Sequence, residues 1–236
     1  MIVNTLFPSQ RSQLLHAATT MLTLLAAATT DPKVKALIEQ WVQALAQSLV
    51  DARTNHRAKQ GVWRARYDEL APLNDAADAA LRFAEAAIKK KLGAAGVALF
   101  HRLLGVGKLS DVTGAPLARQ HSLVEDLRAR VEAEPDVHKL PAERLEEVFT
   151  TNAALGAGVL AEQDAKRAWK AASSALDDVE DSFHDCYRVL VKSIVQLLGE
   201  DGARAILQMF TRSERDPSVT PGEPSVQLAD EDDDEG

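Results

Sequence analysis

The chain aligns with itself without a gap when it is shifted by 106 residues. Over the 34 positions from 63 to 96 the shifted copies share nine identical residues, whereas ordinary composition would give roughly three by chance. The identities include Trp63 with Trp169 and Gly93 with Gly199. A self-match at a fixed offset is typical of a fold that contains two copies of one structural unit. The sequence therefore predicts a tandem duplication, and it contains no comparable signature of a reaction.

Composition and hydrophobic periodicity both predict an all-α fold. Apolar residues make up 46% of the chain and aromatic residues only 5%, so the apolar supply is mostly leucine and alanine, which favour helix over strand. One apolar series advances in alternating steps of three and four residues, the spacing of a helix in a bundle. Its members are Trp169, Ala172, Leu176, Val179, Phe183, Cys186, Leu190, Ile194 and Leu197.

Start and stop signals divide the chain into two helical repeats that we expect to merge into one bundle. Asp31-Pro32 is a helix start, with a capping carboxylate and a proline at the first helical position. Pro72 and Asp177-Asp178 are expected to interrupt long helices, with Asn74 capping a new one, and Leu-Gly pairs end the third helix of each repeat. The expected organisation is an extended lead-in (1–8), repeat 1 (9–104), an inter-repeat loop (105–116), repeat 2 (117–212) and a disordered acidic tail (213–236).

One stretch of the second repeat carries a family resemblance. Tyr187-Arg188 is followed by Val191, Ile194 and Leu197, and in this it resembles an uncharacterised family of bacterial proteins built from a duplicated helical unit. The resemblance covers the long helices. It implies the same architecture and no activity.

The cysteine count and the first apolar segment bear on the compartment. Cys186 is the only cysteine, which excludes an internal disulfide and fits a reducing compartment. Residues 14–30 carry no charge, as the core of a secretion signal does, but His16 and several threonines form a polar stripe at helical spacing. Such a stripe is typical of a helix packed in a bundle. We therefore expect a cytoplasmic protein with no membrane segment.

Two acidic pairs offer the strongest candidate for a metal site. Asp181 and His184 are three residues apart and share one helix face, and Asp75 and Asp78 occupy the equivalent positions of the first repeat. Carboxylates and imidazoles at this spacing bind metals in helical bundles. The alternative is that both pairs lie in the first turn of a helix, where carboxylates complement the helix dipole. A divalent metal is the only cofactor that the sequence suggests.

A basic stretch and an acidic tail are the main charge features. Arg53, Arg57, Lys59, Arg64 and Arg66 occur with no acid among them, and His56, Trp63 and Tyr67 are interleaved with them. This pattern predicts a face that binds a polyanion or the tail, or, in the alternative, a solvated helix face with Trp63 in the core. The tail, Asp230–Glu235, carries six carboxylates and accounts for most of the formal net charge of -8. We expect it to cover the basic face and to compete with anionic partners.

The sequence thus favours a non-enzymatic protein. The glycines around Lys108 lack the spacing of a phosphate-binding loop, and no hydrolase, kinase or dinucleotide motif is present. The first hypothesis is a cytoplasmic helical-bundle scaffold or adaptor that engages a protein partner, with homo-oligomerisation open. The alternatives are a metal-binding bundle and, less favoured, a nucleic-acid or polyanion binder that uses the Arg53–Tyr67 face.

Overall fold

The computed structural model describes residues 11–27, 30–134 and 139–211. Within these ranges the fold is all-α, as predicted, and no strand is present. The predicted lead-in and the acidic tail lie outside the described residues. None of the described helices is long and apolar enough to cross a membrane. The helices are α1 (Arg11–Ala26), α2 (Pro32–Trp41), α3 (Gln43–Leu104), α4 (Ser110–Thr113), α5 (Leu117–Ala133) and α6 (Ala142–Thr211).

The predicted start of α2 is confirmed at atomic level. The Asp31 carboxylate accepts a hydrogen bond from the backbone N–H of Lys33 at 2.7 Å, and Pro32 occupies the first turn. The cap satisfies a backbone donor that has no partner within the helix. Proline costs nothing there, because the N–H that it lacks would be unpaired anyway.

The predicted break at Pro72 and the predicted cap at Asn74 are wrong. Helix α3 continues through both residues, although Pro72 cannot donate to the carbonyl four residues earlier. The proline is exposed, whereas Leu70 is buried and Leu73 half-buried on either side of it. Both leucines approach Gly158 of α6, since a Cβ at Gly158 would lie 2.6 Å from Leu73 Cδ1 and 3.3 Å from Leu70 Cδ2. Packing on both sides of Pro72 thus compensates for the missing hydrogen bond.

The expected interruption at Asp177-Asp178 is also wrong. Helix α6 passes through this pair, with Leu176 fully buried before it and Glu180 6% exposed after it. Aspartate is a weak helix former that keeps its backbone N–H, so it lowers helix propensity by well under 1 kcal/mol. Burial of the neighbouring positions outweighs a cost of that size.

Glycines end the main segments of α3 and α6, as the Leu-Gly signals predict. Gly93 has φ 65° and Gly199 has φ 72°, and each separates a long helical segment from a short one. This left-handed region is accessible to glycine without the Cβ clash that other residues incur. On the far side of Gly93, His101 lies within 2.5 Å of Glu85 and so links the two segments of α3.

The chain forms two compact units. Unit 1 comprises Met1–Val50 and Asp178–Gly236, and unit 2 comprises Asp51–Asp177. Each unit therefore draws residues from both predicted repeats. The helices α3 and α6 each contribute one segment to either unit.

The core of unit 1 combines aliphatic residues from α1 to α3 with aromatic residues from α6. Met21, Ile38 and Leu49 are fully or almost fully buried. The ring of Tyr187 lies 6.1 Å from that of Phe183 and 6.1 Å from that of Phe210, centroid to centroid. This second contact brings the segment after Gly199 back onto α6. The fully buried residues are Ala17, Ala18, Met21, Val34, Ile38, Ala46, Phe183, Tyr187, Leu190, Val191, Ile194 and Phe210.

The core of unit 2 lies among α3, α5 and α6. Leu81, Ile88 and Phe100 of α3 pack with Leu127 of α5 and Val148 of α6 in one continuous apolar cluster. The cluster continues to Val112 of the short helix α4.

The predicted apolar series of the second repeat is correctly phased over most of its length. Leu197, its last member, is 40% exposed, because the helix ends two residues later at Gly199. Trp169, Val179 and Cys186 are half-buried. The buried members are Ala172, Leu176, Phe183, Leu190 and Ile194.

Candidate functional site

Two tryptophans that the self-match aligns are in contact in unit 2. The indole rings of Trp63 on α3 and Trp169 on α6 stack with centroids 4.6 Å apart and an interplanar angle of 4°. Both side chains are half-buried. Stacked aromatic rings add about 0.5–1.5 kcal/mol beyond the area that they bury. The pair therefore holds the middle of α3 against α6.

Each indole N–H also reaches a polar side chain on the opposite helix. Trp63 Nε1 donates to Glu162 Oε1 at 2.6 Å, and Trp169 Nε1 donates to His56 Nε2 at 3.0 Å. The residue further along α3 contacts the residue earlier in α6. The two segments therefore run antiparallel.

The side of α3 that faces α6 is defined by three residues seven positions apart. His56 and Trp63 make the hydrogen bonds just described, and Leu70 packs towards Gly158. An α-helix turns about 100° per residue, so residues seven apart lie almost above one another. We call His56, Trp63 and Leu70 the inward stripe of α3.

The five predicted cations of α3 do not share one face. The same helical geometry puts Arg53, Arg57 and Arg64 on one side of the inward stripe and Lys59 and Arg66 on the other. Arg53 is half-buried and the remaining four are exposed. The sequence stretch is basic throughout, but the paired helices split it into two sides.

Helix α6 adds cations to the first of these sides. Lys166 and Lys170 are exposed and lie to one side of Glu162 and Trp169. Right-handed helices advance in the same rotational sense, so in an antiparallel pair this is the same side as that of the three arginines. Gln163, Lys166, Arg167 and Lys170 also line a shallow groove of about 310 Å³. We call Arg53, Arg57, Arg64, Lys166 and Lys170 the basic side of unit 2.

Most cations of the basic side have no carboxylate partner. Among the described residues, Arg57, Arg64, Lys166 and Lys170 form no ion pair, and Arg53 has a polar partner. The neighbouring cations are more strongly paired. Arg66 lies 2.7 Å from Glu69, and Arg167 pairs with Asp164.

The contribution of α6 is what reasoning from the sequence missed. Residues 162–170 contain Glu162 and Asp164 as well as three cations, and their net charge alone does not mark a basic surface. Glu162 is turned towards Trp63 and Asp164 pairs with Arg167. The 106-residue offset is the signal that could have paired the two stretches, since it aligns position 56 with 162 and position 63 with 169.

The predicted metal ligands fall in different parts of the chain. Asp75 and Asp78 belong to unit 2, and Asp181 and His184 belong to unit 1. Asp75 and Asp181 are exposed and His184 is half-buried. Across the described ranges there is no group of three or more histidine, cysteine, aspartate or glutamate residues that could hold a metal ion.

Asp78 has a structural role instead. It is 8% exposed, and its Oδ1 accepts a hydrogen bond from Gln120 Nε2 at 2.9 Å. Arg82 lies 3.5 Å from its Oδ2. Nearby, Asn152 Nδ2 donates to the backbone oxygen of His121 at 3.2 Å. These contacts tie α5 to α3 and to α6 through buried polar groups, which stabilise a fold only when they are hydrogen-bonded.

The remaining reactive groups lie in unit 1. Cys186 is a free, half-buried thiol, and burial raises the pKa of the Tyr187 phenol above its ordinary range. The basic side of unit 2 is the described surface with the clearest chemistry, because guanidinium and ammonium groups form charge-assisted hydrogen bonds with carboxylates and phosphates. Comparisons with models of protein families, with curated proteins and with solved structures found no match to this chain.

Proposed function

We propose that this protein is a non-enzymatic helical scaffold that binds an acidic partner protein through the basic side of unit 2. One observation carries the proposal: exposed cations from α3 and α6 lie on one side of a helix pair that the tryptophans hold together. Four of them, Arg57, Arg64, Lys166 and Lys170, have no ion pair among the described residues. Their charge is therefore available to a ligand.

The physical chemistry of the surface supports binding rather than catalysis. Exposed cations keep their water, so they attract an anion over about a Debye length, 8–10 Å at moderate salt, and release it readily. Such surfaces control the rate and specificity of association more than its final affinity. The stacked indoles contribute rigidity, because they hold the α3 and α6 cations in one arrangement before the partner arrives.

We also propose that the chain arose by internal duplication with an offset of 106 residues. The two left-handed glycines, Gly93 and Gly199, are separated by this offset. The two indole hydrogen bonds are related by it as well, since Trp63 bonds to position 162 and Trp169 bonds to position 56. Reciprocal contacts of this kind are expected when two copies of one unit pair about a pseudo-twofold axis.

A cytoplasmic location is part of the proposal. Cys186 is the only cysteine of the chain and carries a free thiol. Free thiols persist where glutathione and thioredoxin keep them reduced.

The experiment compares two double variants of α3 that lose the same charge. Arg57→Gln/Arg64→Gln removes two cations of the basic side, and Lys59→Gln/Arg66→Gln removes two from the opposite side. The probe is a fluorescent poly-glutamate peptide of about 20 residues, titrated at low salt. We expect the first variant to bind about tenfold more weakly and the second to change by less than about twofold.

Equal weakening by both variants would contradict the proposal, because it would report net charge alone. A single-stranded oligonucleotide of matched charge is the second probe. If it binds much more tightly than poly-glutamate, with a steep salt dependence, the partner is a nucleic acid instead.

A further inference from the structure

We propose that the acidic tail, Asp230–Glu235, docks on the basic side of unit 2 and competes with the partner for it. The inference rests on the proposed function, since both ligands would use the same cations. The tail lies outside the described residues, and the argument depends on its sequence and on the surface that would receive it. The result is a scaffold whose partner surface is covered until a stronger anion displaces the tail.

Charge and length match between the two segments. The tail carries six carboxylates in six consecutive residues, and the basic side carries five cations. An extended run of six residues spans about 20 Å. From Arg53 to Arg64 the axis of α3 advances eleven residues, or about 16 Å at 1.5 Å per residue. Lys166 and Lys170 on α6 lie beside this row, so an extended acidic segment meets cations along its length.

The other prominent cluster of cations is a poorer match. Lys89, Lys90 and Lys91 occupy a single turn just before Gly93, so they span only about 3 Å of helix axis. They also lie at the end of a helical segment, whose unpaired carbonyls interact favourably with cations. Part of their charge is thereby neutralised within α3.

The chain has enough length to deliver the tail. The last described residue is Thr211, and 18 residues separate it from Asp230. A segment of that length reaches up to about 60 Å when extended. Tethering gives such a segment an effective concentration in the millimolar range when its length spans the distance to the site. Even a weak electrostatic contact is populated under those conditions.

The first test neutralises part of the tail in the full-length chain. The variant is Asp232→Asn/Asp233→Asn/Asp234→Asn, and its matched control is Glu132→Gln/Glu143→Gln/Glu146→Gln, three exposed carboxylates of α5 and α6. Both raise the net charge by the same amount. We expect the tail variant to bind the poly-glutamate probe about three- to tenfold more tightly at low salt and the control to change by less than twofold. The difference should disappear in about 0.5 M salt.

The second test locates the tail. A zero-length carbodiimide condenses a carboxylate with an amine only when the two are in contact. Peptide mapping by mass spectrometry should find 230–235 joined to Lys166 or Lys170. Links to Lys89–Lys91 instead would overturn the assignment. Links found only in a covalent dimer would support docking by the tail of a second copy.

The outcomes separate this inference from the proposed function. If Arg57→Gln/Arg64→Gln weakens probe binding while tail neutralisation changes nothing, the partner surface stands and the tail inference fails. If neither variant changes the binding of the probe, both fail. If the tail variant and its control tighten binding equally, net charge is the cause and the tail inference fails.

Discussion

At the scale of single residues, the polar partners of the two tryptophans are the most informative feature. Trp63 and Trp169 are large enough to be read as core residues, yet each is only half-buried and each donates a hydrogen bond across the helix pair. An indole N–H that is partly removed from water needs such an acceptor. Glu162 and His56 are therefore structural residues within a basic surface.

The Glu162 acceptor can be tested by two substitutions. Glu162→Ala leaves the Trp63 N–H without its partner and should lower the free energy of unfolding by about 1–2 kcal/mol. Glu162→Gln keeps an acceptor oxygen and should lower it by less than about 1 kcal/mol. Urea unfolding followed by tryptophan fluorescence gives both values. Asp164→Ala, which breaks an exposed pair, is the control; a loss as large as that of Glu162→Ala would mean that charge and not the indole bond matters.

Tyr187 predicts a specific sensitivity to alkali. Burial raises the pKa of its phenol, so above about pH 10 the unfolded chain loses a proton that the folded chain keeps. The unfolded state then binds fewer protons, and stability falls as the pH rises. Tyr187→Phe should remove this component, which is at most about 1.4 kcal/mol per pH unit.

The measurement for Tyr187 is the change in unfolding free energy between pH 8 and pH 11. Tyr67→Phe, at a residue 60% exposed, is the matched control and should lose as much stability as the natural chain. An alkaline loss in Tyr187→Phe equal to that of the natural chain would show that other groups cause it.

At the scale of elements, the two long helices show how tertiary packing overrides local signals. Pro72, Gly61 and Asp177-Asp178 all lower helix propensity, yet α3 and α6 continue through them. Gly93 and Gly199 do interrupt the helices, because there the backbone adopts a left-handed conformation. The type of residue therefore predicts a break less well than its conformation does.

A pair of glycine substitutions isolates this effect. A Cβ at Gly61 or at Gly93 would meet no atom within 4 Å, but only Gly93 has a positive φ. Gly61→Ala should raise the free energy of unfolding by about 0.5–1 kcal/mol, since alanine is the better helix former. Gly93→Ala should lower it by about 1–2 kcal/mol through backbone strain. Thermal or urea unfolding would contradict this account if both changes had the same sign.

At the scale of the whole molecule, the chain forms two compact units that cut across its predicted repeats. Unit 1 joins the first 50 residues to the region after 178, and unit 2 holds the residues between. Equivalent positions of the proposed duplication therefore lie in different units. Ile88 is buried in unit 2 and Ile194 in unit 1, both with 0% exposure.

This arrangement predicts parallel effects of paired substitutions. Ile88→Ala and Ile194→Ala should each lower the free energy of unfolding by about 2–4 kcal/mol, because each leaves a cavity in a core. Phe83→Ala and Val189→Ala, at residues 58% and 40% exposed and related by the same offset, should each cost less than about 1 kcal/mol. Urea unfolding measures all four. A small effect at one isoleucine alone would argue against equivalent cores.

Local rules account for what the sequence by itself determined about this protein. The all-α class, the Asp31 cap of α2 and the glycine ends at Gly93 and Gly199 each depend on residues within one or two turns of helix. Capping, propensity and left-handed backbone act over that range. These features are therefore legible in a single chain.

The tertiary structure decided what depends on contacts between distant residues. The continuity of α3 through Pro72 depends on packing towards Gly158, 86 positions away in the sequence. The composition of the basic side depends on the antiparallel pairing of α3 with α6, which brings Lys166 and Lys170 beside Arg57 and Arg64 and turns Lys59 and Arg66 away. Sequence periodicity gives the phase of each helix but not the helix that it will face, because that choice is made by the burial of side chains from both.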